Sequence, residues 1–145
     1  MYIVIISIIV GVIAGLSVGF QNPLASLVGQ RIGILQGAFM LHVGGTLAAG
    51  VLLLMLPGSH LAVLKSTPWY AFPAGALGVV FISGINYTIP RIGVAPTVGL
   101  IVAAQLIVGA IFDHYGFLEV VVRPFDLWKL AGVVFLLGGT WLVLR

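Results

Sequence analysis

Apolar residues run in five long stretches, 3–20, 33–56, 69–88, 94–112 and 127–144, and most charged residues fall between these stretches or at their ends. A helix rises about 1.5 Å per residue, so about 20 apolar residues cross the hydrocarbon of a bilayer. Each stretch has that size. The alternation of apolar and polar positions that a membrane-spanning strand needs is missing from segments such as 3–9 and 133–137. The pattern therefore predicts an all-α membrane protein with five transmembrane helices in a single domain, residues 1–145.

The polar punctuation sets the predicted boundaries. Pro57-Gly58-Ser59-His60, Thr67-Pro68, Pro90-Arg91 and Arg123-Pro124 read as turns that helices seldom continue through. Tyr2, Trp69, Tyr70, Trp128 and Trp141 fall near the ends of the stretches, where amphipathic rings meet the headgroups. The end of the first helix has two readings. Gln21-Asn22-Pro23 caps a new short helix, or the first helix continues through a kink toward Val28 and turns at Gly29-Gln30-Arg31. Gly11, Gly15 and Gly19 recur every four residues, a small-residue ladder that serves either packing within the bundle or a seam between two chains.

Composition agrees with the pattern. The mean hydropathy is +1.28, and 6% of residues are charged, against about 25% in a soluble domain. A chain this short cannot hide so much apolar surface from water. The six basic residues, scattered singly, form no patch that would hold nucleic acid. With no cysteine, disulfide and thiolate chemistry are excluded. The apolar N-terminus lacks the basic start of a removable signal peptide, so it is expected to remain as a helix.

Five crossings put the termini on opposite sides and divide the basic residues evenly. Lys65, Arg123 and Lys129 share one side, and Arg31, Arg91 and Arg145 share the other. A bias of basic residues is what normally selects one direction of insertion. Its absence suits a chain that inserts both ways, so that two copies pair antiparallel. The even tally is also what chance gives in a small set, with orientation then set by other features or by a partner.

The polar residues left at membrane depth bound any binding site, because lipid offers them no hydrogen bonds. These are Gln36, His42, Thr46, Asn86, Tyr87, Thr97 and Gln105, with Asn22 and Asp113 near boundaries. His42 is the clear mid-membrane titratable group; it either donates to a carbonyl as a structural residue or carries protons and contacts substrate. Gln105 and Asp113 stand eight apart, on similar faces two turns from each other. A carboxylate costs about 2.5–3.5 kcal/mol at the bilayer centre and less near a helix end. Asp113 therefore belongs at a headgroup level or a vestibule, either anchoring the next connection through His114 or Arg123 or standing at the mouth of a pathway.

No enzyme is expected. The serines lack a G-x-S-x-G setting, and neither H-E-x-x-H nor a phosphate-binding G-x-x-x-x-G-K-[ST] occurs. His42, His114 and Asp113 lie at different membrane levels, which argues against a metal site. No cofactor is expected either.

Gln105 followed by Asp113-His114-Tyr115-Gly116, after the turn Pro90-Arg91-Ile92-Gly93-Val94-Ala95, resembles the YdcZ family of small bacterial membrane proteins in the drug/metabolite transporter superfamily. Asn22 and Gly44-Gly45-Thr46 fit the corresponding positions of the first and second helices. The resemblance implies five helices per chain, a half unit of the drug/metabolite transporter type that forms dual-topology antiparallel dimers, and export across the prokaryotic inner membrane. The chain departs from the family pattern at Val18, where relatives carry glutamine, and at Leu41 and His42, where they carry Ser-Phe. Those departures move the first polar site toward Gln21 and His42. Unlike the small multidrug exporters, the first helix has no glutamate.

The resulting expectation is a small secondary transporter of a metabolite, acting as an antiparallel homodimer or beside an oppositely oriented paralogue in the lipid bilayer. Gln36, His42, Asn86 and Gln105 would bind a neutral or anionic substrate, aided by a helix break at Pro96. Asn22, Asp113 and His114 would stand at the pathway mouth. The alternatives are a small dual-topology ion channel, or a non-transporting membrane subunit of a heteromeric pair.

Overall fold

The computed structural model describes residues 2–55, 66–117 and 121–143. Their regular structure is helical: α1 (Tyr2–Ile32), α2 (Ile34–Met55), α3 (Ala71–Ile92), α4 (Val94–Tyr115) and α5 (Leu127–Val143). The first four are long and apolar enough to cross a membrane, whereas α5, also apolar, has 17 residues. The turn expected at Pro57-Gly58-Ser59-His60 lies outside the described residues.

α2 and α4 begin at Ile34 and Val94, within one residue of the expected starts at 33 and 94, but the helices before them end later than expected. α1 does not end at residue 20; it continues through Pro23, as in the second reading, and runs 31 residues to Ile32, past the turn expected at Gly29-Gln30-Arg31. α3 likewise continues through Pro90-Arg91 to Ile92. A proline inside a helix removes one N–H, and in these long helices the surrounding hydrogen bonds carry the ladder past it. Glycine stops both helices instead. Gly33 (φ 105°) and Gly93 (φ 89°) adopt left-handed backbone that side chains with a Cβ resist, so one residue suffices to end a helix and begin the next. Gly33 donates to the Gly29 carbonyl (2.9 Å) and accepts from the Gly37 N–H (2.8 Å), which leaves no loop at all between α1 and α2.

The chain forms two compact units, Met1–Pro90 and Arg91–Arg145. In the first, the buried positions of α1 are Asn22, Ala25, Ser26 and Gly29, a one-face spacing that appears again on α3 as Ile82, Ile85, Asn86 and Ile89. The helices meet closely where Gly29, Gly37 and Asn86 come together. A Cβ on Gly29 would stand 2.6 Å from the Asn86 Cγ, and one on Gly37 would stand 2.9 Å from the Gly29 Cα. Asn86 Nδ2 donates to the Ile34 carbonyl (3.0 Å), so α3 locks the start of α2. In the second unit α4 packs on α5, and Gly99 leaves the room that Thr140 fills.

Residues 2–21 of α1 are all exposed, and a Cβ on Gly11, Gly15 or Gly19 would meet nothing within 4 Å. Packing of this ladder within the chain is thus not seen. Large apolar side chains point outward along every helix, as expected where lipid rather than water is the solvent.

Candidate functional site

Most hydroxyl groups in the helices are used up locally. Ser7, Ser17, Thr88, Thr97 and Thr140 each donate to the carbonyl four residues earlier, at 2.7–2.9 Å. That is how lipid-embedded helices satisfy such groups without a partner. Among the described residues three buried oxygens stand apart: Asn22 Oδ1, Ser83 Oγ and Asn86 Oδ1 have no hydrogen-bond partner there, and all three belong to the first unit.

His42 lies at the side of a cavity of about 440 Å³ in the first unit, with Gln21, Gly45, Thr46 and Gly78 among its lining. Its Nδ1 is 2.7 Å from the Ala38 carbonyl. A carbonyl only accepts, so Nδ1 carries the hydrogen, and in the neutral ring Nε2 is left as an acceptor. Gly78 makes room for that nitrogen, since a Cβ there would stand 2.7 Å from Nε2. One ring nitrogen of His42 is thus held by its own helix, and the other lies against Gly78.

In the second unit a groove of about 380 Å³ runs between α4 and α5, with Gln105, Gly109, Asp113, Lys129 and Gly132 among its lining. Asp113 pairs with Lys129 at 3.8 Å, not with His114 or Arg123 as the sequence suggested. The connection to α5 is held by backbone instead. The Arg123 N–H donates to the Asp113 carbonyl (2.8 Å), and the Phe125 N–H donates to His114 Nδ1 (3.1 Å). Asp126 Oδ1 caps α5 by accepting from the Lys129 N–H at 2.8 Å.

The four residues expected to bind substrate fall in the two units as follows. His42 lines the first cavity and Gln105 the groove of the second unit. Asn86 gives its Nδ2 to the meeting point of three helices while its Oδ1 stays without a partner, and Gln36 is exposed beside Gly33, in a hollow with Phe39 and Met40. Asn22 is 2% exposed and lies inside α1 rather than at its end, because α1 continues past it. His114 anchors the connection. Pro96 breaks nothing: it sits in the first turn of α4, where a missing N–H leaves no carbonyl without its partner. Sequence reasoning missed Lys129 as a site residue. The signal available was Asp126 three residues earlier, a helix start that sets Lys129 in the first turn of α5, beside the end of α4.

Apolar helices of membrane-crossing length, packed through small residues and with isolated polar groups at depth, define a multi-pass helical membrane protein. A family model described as "Putative inner membrane exporter, YdcZ" matches residues 6–142, and the chain belongs to that family. It is accordingly a multi-pass protein of the inner membrane in a family of exporters, which is not an enzyme class. Comparison with curated proteins and with solved structures gives no match.

Proposed function

We propose that the chain is a small secondary transporter of a metabolite, working by alternating access as an antiparallel, dual-topology homodimer, with His42 and its cavity as the substrate site. The observation that carries the reading is the His42 ring: it lines a cavity of about 440 Å³, with Nδ1 tied to the Ala38 carbonyl and Nε2 left as an acceptor. Gln21 and Thr46 add neutral hydrogen-bonding groups to the same lining. A pocket of neutral donors and acceptors suits a ligand without net charge. The second copy is supported by the three-against-three division of basic residues and by the exposed glycine ladder of α1.

Flux into proteoliposomes with a panel of solutes tests the site. Saturable transport that falls at least about tenfold in His42→Ala supports it, whereas unchanged transport rejects this cavity. A rate that does not respond to pH between about 5 and 8 removes His42 as a proton carrier. Dual topology is tested by placing single cysteines at each terminus of a chain that has none. Labelling of one site from both sides of the membrane supports it, and labelling from one side only rejects it.

A further inference from the structure

We infer that the groove between α4 and α5 binds the head of a zwitterionic small molecule, an α-amino acid with an apolar side chain, through Asp113 and Lys129. The inference rests on the reading of the chain as a transporter and adds to the His42 cavity a second ligand site, with its own ligand class.

The argument begins with the two helix ends. Asp113 stands in the last turn of α4 and Lys129 in the first turn of α5. The C-terminal end of a helix carries partial negative charge and the N-terminal end partial positive charge. Each ionised side chain is therefore on the end whose own field disfavours it. Side by side, the two ends make a mouth with one strongly negative lip and one strongly positive lip. A cation alone or an anion alone meets attraction from one lip and repulsion from the other. A ligand that carries both charges meets attraction twice.

The lips are held in place without being consumed. At 3.8 Å the ion pair is longer than a direct hydrogen bond, and among the described residues no donor bonds to the Asp113 carboxylate. Lys129 Nζ donates one of its hydrogens to the Arg123 carbonyl (3.0 Å), which leaves two. The backbone on either side is fixed by the Arg123 N–H to Asp113 bond and by the Asp126 cap. An ammonium takes the Asp113 oxygens, and a carboxylate takes the remaining Lys129 hydrogens. The flexible lysine stem supplies the movement that opens the pair. The exchange also leaves the net charge of the mouth unchanged, which matters at the edge of lipid.

Below the lips the groove is apolar. Leu106, Ala110 and Val133 line it, and Gly109 and Gly132 leave open space where side chains would stand. That is room for an aliphatic or aromatic side chain pointing inward. Gln105, two turns below Asp113, is the polar group at the far end.

The experiment measures binding to the solubilised full-length chain of L-leucine, of its decarboxylated amine and of its deaminated acid. Leucine is expected to bind, with the amine and the acid each at least about tenfold weaker. In Asp113→Asn the acid should overtake the amine, and in Lys129→Gln the amine should overtake the acid. That reversal is an effect a merely structural ion pair would not give. Equal binding of all three compounds overturns the inference, as does absence of binding for each of leucine, valine and phenylalanine. Should a variant fail to fold, the comparison of the three compounds on the unaltered chain decides alone. Saturable flux of some other solute, unaffected by Asp113→Asn, rejects this site and leaves transport standing. Leucine binding in the expected order by a chain that moves no solute does the reverse.

Discussion

The tripeptide Arg-Ile-Gly occurs twice, as Arg31-Ile32-Gly33 and Arg91-Ile92-Gly93, and each time it ends one helix and starts another within a single residue. The backbone solution is the same: a left-handed glycine, with an arginine in the last turn where the helix end is negative. The flanks differ. Four residues before and four after the first glycine stand Gly29 and Gly37, and the space they leave is taken by Asn86 from a third helix. The matching positions around the second glycine are Ile89 and Thr97, both buried, and Thr97 Oγ1 closes onto the Gly93 carbonyl at 2.7 Å. The first corner is filled by a neighbour, whereas at the second Thr97 closes onto the start of its own helix. A positive-φ glycine thus serves both corners, while the residues one turn away differ.

The difference is broken most severely by giving the first corner the flank of the second. Gly29→Val should destabilise the folded chain by about 3 kcal/mol or more, because the new side chain would occupy the place of Asn86. Adding Asn86→Ala, itself worth about 1–3 kcal/mol through the lost bond to Ile34, should recover part of that loss. Strictly additive melting shifts in the double variant would show that the two residues do not compete for one space.

A smaller effect separates the two glycines themselves. Gly33→Ala and Gly93→Ala should each cost about 1–2 kcal/mol for the left-handed backbone. Gly33→Ala should be the worse, since its Cβ also displaces the Gln36 amide, whereas at Gly93 the nearest atom is Pro96 Cδ at an ordinary 3.7 Å. Thermal unfolding of the two variants in one detergent ranks them, and a reversed order would mean that side-chain crowding at Gly33 carries no weight.

The smallest effect belongs to Gly15→Ala. With nothing within 4 Å of the new Cβ, the stability of the single chain should move by no more than about 0.5 kcal/mol. Cross-linking between chains is then the informative measurement. A loss of cross-linking without loss of stability assigns the ladder to contact between copies, and unchanged cross-linking removes it from that role.

The helices were legible in the sequence because apolar length is a strong signal in lipid, and four of the five are of membrane-crossing length. The corners were legible only as helix starts, because α2 and α4 begin within one residue of the expected positions while α1 and α3 end later than expected. Pro23 and Pro90 are stronger turn signals in water than Gly33 and Gly93, yet a long apolar helix absorbs a missing donor more readily than it continues through a left-handed residue. At the site, the eight-residue spacing put Gln105 and Asp113 on one groove correctly, because both lie on one helix. Lys129 escaped because its place beside Asp113 depends on how the connection folds back, a fact held in backbone bonds such as Arg123 N–H to Asp113 and absent from any local pattern.

Pro23 has a consequence for α1 beyond the end of that helix. Having no N–H, it withdraws one rung from the ladder and leaves the Gly19 carbonyl unclaimed by the residue four positions on. That missing rung falls next to Asn22, the first buried residue of α1, at the border between its bare twenty residues and its clasped remainder. Bending α1 at this level, on the side of the missing rung, therefore meets one hydrogen bond fewer than elsewhere along the helix.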